Sequence, residues 1–188
     1  MAHPAVTGRP RGRISRVLLA LCILYGYASG DSGHALATYS EDAVKAAFVY
    51  RFAGYVKWPD EVLPPDKFTI AVLGEGEVAA NLQALSAGRT LLNRPVQVRQ
   101  VASIRQADGA QILYVGNDRR SLLHMLRPGP ARGTLVVTDA DGALAAGSAI
   151  NLLVIEHRVR FEISLEAAQQ AGLKISSDLL ALAVQVQQ

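Results

Sequence analysis

The sequence has little cysteine and little histidine. Its single cysteine, Cys22, lies in an N-terminal apolar segment, so the rest of the chain cannot form an internal disulfide. After residue 37 the only histidines are His124 and His157, which are far apart and lack the local spacing of a zinc site. We therefore expect a domain stabilised by its apolar core alone, with no metal ion and no cofactor.

The chain also lacks an excess of charge once its first 37 residues are set aside. Of the 19 lysines and arginines, four precede residue 38, whereas of the 16 aspartates and glutamates only Asp31 does. The remaining chain is therefore neutral overall. No basic stripe is left that would indicate nucleic-acid binding.

A transmembrane segment is not predicted either. The apolar run at residues 17–28 is too short to span a bilayer as an ordinary helix. Four arginines precede this run, and Ala35-Leu36-Ala37 follows it with small residues at alternate positions. This order is typical of a secretory signal peptide. We predict that residues 1–37 are a cleaved signal peptide and that residues 38–188 form one periplasmic domain.

Strand and helix patterns alternate along the middle of the chain. A helix is predicted from an N-cap at Ser40 to Trp58-Pro59, because the residue before proline avoids helical angles. Four strands are predicted at residues 68–73, 96–101, 112–115 and 135–138, and two further helices at residues 78–85 and 117–126. This alternation favours a sheet flanked by helices.

The C-terminal part of the chain has the pattern of a β-hairpin. Residues 150–155 are almost wholly apolar, which predicts a strand buried on both faces. After Glu156-His157, apolar and polar residues alternate over residues 159–165. Helices are predicted at residues 165–171 and after Ser176 or Ser177. The predicted fold is α/β: a single-domain sandwich with a mixed β-sheet flanked by helices and a C-terminal β-hairpin.

The residues 74–79, GEGEVA, fit a dinucleotide-binding fingerprint between a strand and a helix. Glu75 and Glu77, however, place negative charge where phosphates would bind, and the next strand does not end in an acidic residue for the ribose. We interpret Gly74 and Gly76 as residues of a tight turn. No catalytic residue is predicted, because Ser86 and Ser148 have no neighbouring base in the sequence.

Five residues are candidates for contact with a partner or a ligand. In the first helix, aromatic residues at helical spacing indicate a buried stripe, but Tyr50 falls off that stripe and Trp58 follows the predicted helix end. Both are therefore expected to be available to a partner. Arg158, Arg160 and Glu162 share the outer face of the second hairpin strand. There they are either solvated, or bound to a small ligand that carries both charges or to the acidic rim of a partner.

Two long segments carry a resemblance to a known family. The first is KAAFVYRFAGYVKWP at residues 45–59, and the second is INLLVIEHRVRFEISLEAAQQAGLKISSDLLALA at residues 150–183. The chain resembles the YfiR family of periplasmic proteins. The resemblance implies a non-enzymatic repressor that binds the periplasmic region of an inner-membrane diguanylate cyclase and so controls cyclic-di-GMP signalling and biofilm formation. It also implies homodimers and an OmpA-like outer-membrane lipoprotein that relieves repression.

A second function remains open at this point. The same domain would serve as a periplasmic sensor that captures a small molecule and reports to another membrane receptor, such as a histidine kinase. The resemblance allows for this alternative, since the family's domain also occurs joined to such signalling proteins.

Overall fold

The computed structural model describes residues 39–126 and 132–188. The predicted signal peptide and its cleavage site lie outside these residues. Within the described ranges, no helix has the length and apolar character needed to cross a membrane.

Four α-helices and ten strands make up the described chain, together with 3₁₀ segments at Asp60–Val62, Ile104–Ala107 and Asn117–Leu126. The helices are α1 (Glu41–Phe52), α2 (Val78–Ser86), α3 (Leu165–Gln170) and α4 (Ser177–Leu182). The strands are β1 (Val56–Lys57), β2 (Phe68–Leu73), β3 (Thr90–Leu91), β4 (Arg94–Gln100), β5 (Ile112–Val115), β6 (Leu135–Thr138), β7 (Ile150–Ile155), β8 (Arg158–Ser164), β9 (Lys174–Ile175) and β10 (Gln185–Gln187).

Eight of the strands form one mixed sheet in the order β10-β8-β7-β6-β5-β2-β4-β3. The five strands β4, β2, β5, β6 and β7 run parallel to one another. At the two ends of this set, β3 is antiparallel to β4 and β8 is antiparallel to β7, and β10 runs parallel to β8. The short strands β1 and β9 pair separately. The predicted fold class, a single mixed α/β domain with a C-terminal hairpin, is confirmed.

The two faces of the sheet bury separate apolar clusters. Alternation along β2 directs Ile70 and Val72 into the larger cluster, which residues of α1, α2 and α3 share. Ala71 and Leu73 point into a smaller cluster, to which the 3₁₀ segments contribute Ala107 and other residues. Because both faces are covered, β2, β5 and β6 are buried along their whole length.

Three sequence predictions are corrected by the structure. The first helix ends at Phe52, because the chain turns after it and enters β1, whose Val56 pairs with Ile175. Residues 117–126 form a 3₁₀ helix rather than an α-helix. The strand β7 is buried only in its first half: Val154 is 50% exposed and Ile155 44% exposed. The reason is that β7 pairs with β6 only at Ile150 and Asn151.

Candidate functional site

The C-terminal hairpin has a two-residue turn that sets its register. Glu156 and His157 have positive φ angles of 49° and 59°, as in a type I′ turn. This turn pairs Ile155 with Arg158, Leu153 with Arg160 and Asn151 with Glu162. Residues directly opposite in an antiparallel pair share a face. We call the outward surface formed by Leu153, Ile155, Arg158, Arg160 and Glu162 the hairpin face.

The hairpin face combines two arginines with apolar surface. The side chains of Arg158 and Arg160 are exposed, and neither forms an ion pair within residues 39–126 and 132–188. Beside them Ile155 is 44% exposed and Leu153 is half-buried. An arginine that pairs with no carboxylate of the described residues is available for bidentate contact with a carboxylate of a partner.

Glu162, in contrast, is held in place from within. Its Oε1 accepts a hydrogen bond of 2.9 Å from Nδ2 of the buried Asn151. The Oδ1 of Asn151 in turn accepts hydrogen bonds from the Thr138 hydroxyl (2.8 Å) and the Ala140 backbone N–H (3.1 Å). This buried network ties the polar edge of the hairpin face to the end of β6.

Trp58 does not lie on an accessible surface, and the expectation that it is exposed was wrong. Its side chain is 3% exposed and packs edge-to-face on Phe68, with ring centroids 5.4 Å apart. Its indole N–H donates a 2.8 Å hydrogen bond to the carbonyl of Gly133. The helix α1 ends at Phe52, and Trp58 directly follows the short strand β1, so its side chain lies in the core and not on the surface of the helix.

Tyr50 also lies apart from the hairpin face. It is half-buried on α1, where it packs against the larger apolar cluster. The helix α1 meets the hairpin on its inner side, through Phe48 and Phe52 against Phe161. The structure therefore brings together Arg158, Arg160 and Glu162, but it does not bring Tyr50 or Trp58 to them.

The glycine-rich turn after β2 is occupied by the protein's own carboxylates. Asp118 accepts a hydrogen bond from the Glu75 N–H (3.1 Å), and Asp42 accepts one from the Glu77 N–H (2.8 Å). A Cβ at Gly76 would lie 2.9 Å from the Asp42 carboxylate, so a side chain at this position would displace the carboxylate that accepts from the Glu77 N–H. These backbone N–H groups are the ones that a phosphate would need. The interpretation of the motif as a structural turn agrees with this geometry.

Two further motifs also have structural partners. Ser148 is fully buried, and its hydroxyl donates a 2.8 Å hydrogen bond to the carbonyl of Ile150. Asp139, in the acidic turn after β6, binds Lys45. Among the residues that the structure describes, no group of three or more His, Cys, Asp or Glu side chains is placed to hold a metal ion.

Sequence reasoning missed an acidic crevice at the carboxyl ends of β2, β5 and β6. Six carboxylates and one lysine line it: Glu41, Asp42, Glu75, Asp118, Asp139, Asp141 and Lys45. We call this surface the acidic crevice. Lys45 and Asp139 are 94 residues apart in the chain, so local periodicity carries no information on their contact. One signal was present, because a lysine on the apolar stripe of a helix requires a buried counter-charge.

Lys45 is the central cation of the acidic crevice. Its Nζ lies 2.7 Å from Glu41 Oε1 and 2.5 Å from Asp139 Oδ2. Burial alone lowers the pKa of Lys45, but the hydrogen bonds to Asp139 and Glu41 outweigh it, so that the pKa is raised above its ordinary value. Lys45 is therefore charged at every physiological pH.

Tyr114 lies at the bottom of the same crevice. Burial raises the pKa of its hydroxyl well above the ordinary range, and the nearby carboxylates of Asp139, Asp42 and Asp118 raise it further. The Asp139 carboxylate acts on this hydroxyl both through its charge and through a side-chain hydrogen bond. Tyr114 thus stays neutral and is a potential donor inside the crevice.

Two solved structures are similar to this chain. A crystal structure of a conserved domain protein from Vibrio cholerae O1 biovar El Tor strain N16961 matches with a TM-score of 0.50 and 14% identity, over 79% of this chain and 60% of that one. An ABC domain from Streptococcus pneumoniae, solved in complex with L-Trp, matches with a TM-score of 0.42 and 15% identity, over 67% of this chain and 57% of that one. The chain therefore spans less than two thirds of either protein. The first likeness concerns the fold alone.

The sequence itself matches a family described as YfiR/HmsC-like over residues 42–184. This range begins in the first turn of α1, and it ends after α4, just before the edge strand β10. It includes the hairpin face and every residue of the acidic crevice except Glu41. The protein therefore belongs to the YfiR/HmsC-like family.

Proposed function

We propose that this protein is a periplasmic regulator without catalytic activity, which binds the periplasmic region of an inner-membrane diguanylate cyclase and holds the cyclase inactive. Membership of the YfiR/HmsC-like family over residues 42–184 is the observation that carries this proposal. The mechanism is differential binding: a repressor that prefers the inactive state of the cyclase shifts the equilibrium toward that state. Its effect would be lower cellular cyclic-di-GMP and less biofilm.

The hairpin face is the surface that we assign to the cyclase. Its exposed arginines, Arg158 and Arg160, flank the exposed apolar residue Ile155. Arginine is enriched among the residues that dominate binding energy at interfaces, and apolar contact supplies the desolvated centre. Glu162 is pre-oriented by Asn151, so little side-chain entropy is lost when it meets a donor on the partner. The complementary surface on the cyclase would present carboxylates around an apolar patch.

The remaining parts of the proposal concern export and assembly. Residues 1–37 act as the signal peptide, and residues 38–188 form the periplasmic domain. An OmpA-like outer-membrane lipoprotein relieves repression by sequestering the protein. The lipoprotein and the cyclase must therefore compete for binding to it. The protein acts as a homodimer. Mass measurement of the exported protein and its elution volume in size-exclusion chromatography test the cleavage site and the dimer, respectively.

Cellular cyclic-di-GMP is the decisive readout. Deletion of the gene should raise cyclic-di-GMP, and complementation with the full chain should restore it. The double variant Arg158→Glu/Arg160→Glu should be exported at the same level but fail to restore repression, because it opposes like charges to the acidic surface of the cyclase. The matched control is Arg89→Glu/Arg105→Glu, which changes net charge equally at two other exposed arginines.

Each outcome decides between functions. If deletion leaves cyclic-di-GMP unchanged under conditions in which wild-type cells make the protein, the repressor function is wrong. The small-molecule sensor that reports to a histidine kinase then takes its place. If deletion raises cyclic-di-GMP but both double variants repress like the wild type, the repressor function stands and the hairpin face is not the contact surface.

A further inference from the structure

The strand β10 leaves one edge of the large sheet open. It pairs in parallel with β8 on one side, and within residues 39–126 and 132–188 no strand pairs with its other side. The Val184 N–H donates a 2.9 Å hydrogen bond to the Phe161 carbonyl, so the backbone groups of Val184 are directed at β8. Because the backbone groups of successive residues in a strand point to opposite sides, those of Gln185 and Gln187 point away from β8. They lie along the open edge, where another strand can pair with them.

The open edge also carries exposed apolar side chains. Val186 lies opposite Ile163 of β8, and Ile163 belongs to the larger apolar cluster. Val186 is nevertheless 38% exposed, Val184 is 50% exposed, and Leu182 at the end of α4 is 64% exposed. The larger cluster thus extends to an edge that the described chain leaves uncovered. Exposed apolar side chains beside unpaired backbone groups are typical of a site where a further strand is added.

The edge at β10 has none of the usual protection against added strands. Natural proteins protect an edge strand with charged residues, proline or a bulge. Residues 179–188, however, contain no charged residue and no proline. The opposite edge of the sheet differs, because β3 has only two residues and directly follows the exposed Arg89. Of the two edges, β10 is therefore the one that admits a further strand.

The lack of charge also indicates which strand fits there. In a contact between two copies about a two-fold axis, a charge near the axis meets the same charge of the other copy. Such repulsion would act at the hairpin face, with Arg158 and Arg160, and at the acidic crevice, but not along β10. The sequence Gln185-Val186-Gln187 also reads the same in both directions. Antiparallel pairing centred on Val186 would therefore place valine opposite valine and glutamine opposite glutamine.

We infer that the strand added at β10 is the β10 of a second copy of this chain. The two strands pair antiparallel about a two-fold axis at Val186, and the two sheets become one continuous sheet. Gln185 of each copy then exchanges backbone hydrogen bonds with Gln187 of the other. The inference rests on the homodimer of the proposed function and names its interface.

This pairing has a consequence for the proposed contact with the cyclase. The two-fold axis of an antiparallel strand pair is perpendicular to the sheet, so both copies present the same face on the same side. Arg160 and Glu162 of the two copies would face one side of the dimer, on β8 strands that are three strand spacings, or roughly 15 Å, apart. One dimer could then hold two cyclase chains, and the second contact would form at high effective concentration.

The test is sedimentation-velocity ultracentrifugation, over a range of concentrations, of the protein purified from the periplasm after export of the full chain. We expect the wild type to sediment as a dimer. Val186→Lys and Val186→Glu should each weaken the dimer about tenfold or more, because like charges then meet at the axis. An equimolar mixture of these two variants should dimerise more tightly than either alone, because opposite charges then meet. The matched control is Val154→Lys, at an exposed valine of β7, which should dimerise like the wild type.

A further variant keeps the test decisive if the charged variants at Val186 do not fold. Gln185→Pro removes an N–H that points away from β8, so β10 keeps its pairing with β8 but loses its pairing with a second copy. This variant should sediment as a monomer and have the circular dichroism spectrum of the wild type.

Three results would overturn the inference. They are a wild type that is monomeric at every concentration, dimers of Val186→Lys and Gln185→Pro that are as tight as the wild-type dimer, and no gain in dimerisation when Val186→Lys is mixed with Val186→Glu. Repression is decided separately, by the rise of cyclic-di-GMP on deletion of the gene. A monomeric wild type that still represses would therefore disprove the dimer and leave the cyclase as the partner.

Discussion

Trp58 provides a sharp test of how the domain is held together, because it is the single tryptophan of the chain. The change Trp58→Phe keeps an aromatic ring against Phe68 but removes the indole N–H that donates to Gly133. It therefore separates a structural role for this residue from a role in partner contact. A residue at an interface would lose function without losing stability, whereas a core residue would lose stability first.

The expected loss of stability follows from two terms. Leaving the buried Gly133 carbonyl without its donor costs about 1–3 kcal/mol. Truncation of a buried tryptophan to alanine costs about 3–5 kcal/mol, and phenylalanine retains most of that packing. We expect a decrease of about 2 kcal/mol in the free energy of unfolding, which for a domain of this size lowers the Tm by roughly 4–8 °C.

The assay is urea unfolding followed by circular dichroism, with Tyr39→Phe as the control at a residue that is 77% exposed. The control should leave the midpoint unchanged. In the wild type, the fluorescence of Trp58 should be emitted at short wavelength and be quenched weakly by acrylamide, as for a buried indole. An unchanged unfolding midpoint in Trp58→Phe, or strong quenching in the wild type, would refute the reasoning.

Three further predictions concern Lys45, Tyr114 and the hairpin turn. Lys45→Met should lower the free energy of unfolding by about 3–5 kcal/mol in urea titrations, because it leaves the buried Asp139 carboxylate unpaired; a loss below about 1 kcal/mol would contradict this. The pKa values of Tyr114 and Lys45 are raised in the folded state above their ordinary values of 10.0 and 10.5. Above these ordinary values the unfolded chain releases protons that the folded state retains, so the free energy of unfolding should fall as the pH rises. Urea midpoints measured from about pH 9 to about pH 11 should show this fall, and Tyr114→Phe should show a smaller one; an identical slope would exclude Tyr114 as its source. Glu156→Asn/His157→Gly should raise the free energy of unfolding by about 1 kcal/mol, because the positive φ angles of the turn suit asparagine and glycine better. An unchanged or lower urea midpoint would argue against strain in this turn.

Much of the fold could be predicted because its signals are local. The alternation after residue 158 and the polar break at Glu156-His157 predicted the hairpin, and β8 and its turn are where that pattern places them. The strands β2, β5 and β6 were predicted by short apolar runs, and their bounds agree with the structure. Periodicity and turn residues act within a few residues of one another, so one sequence is enough to recognise them.

The sequence alone thus determined the α/β class, the family resemblance, the hairpin and the outward direction of Arg158 and Arg160. Tertiary structure alone decided that Trp58 is buried, that β7 is exposed at its end, and that Lys45 meets Asp139 in an acidic crevice. The physical reason is that a side chain's face depends on its own strand or helix, whereas its burial and its charge partner depend on which distant segments fold against it.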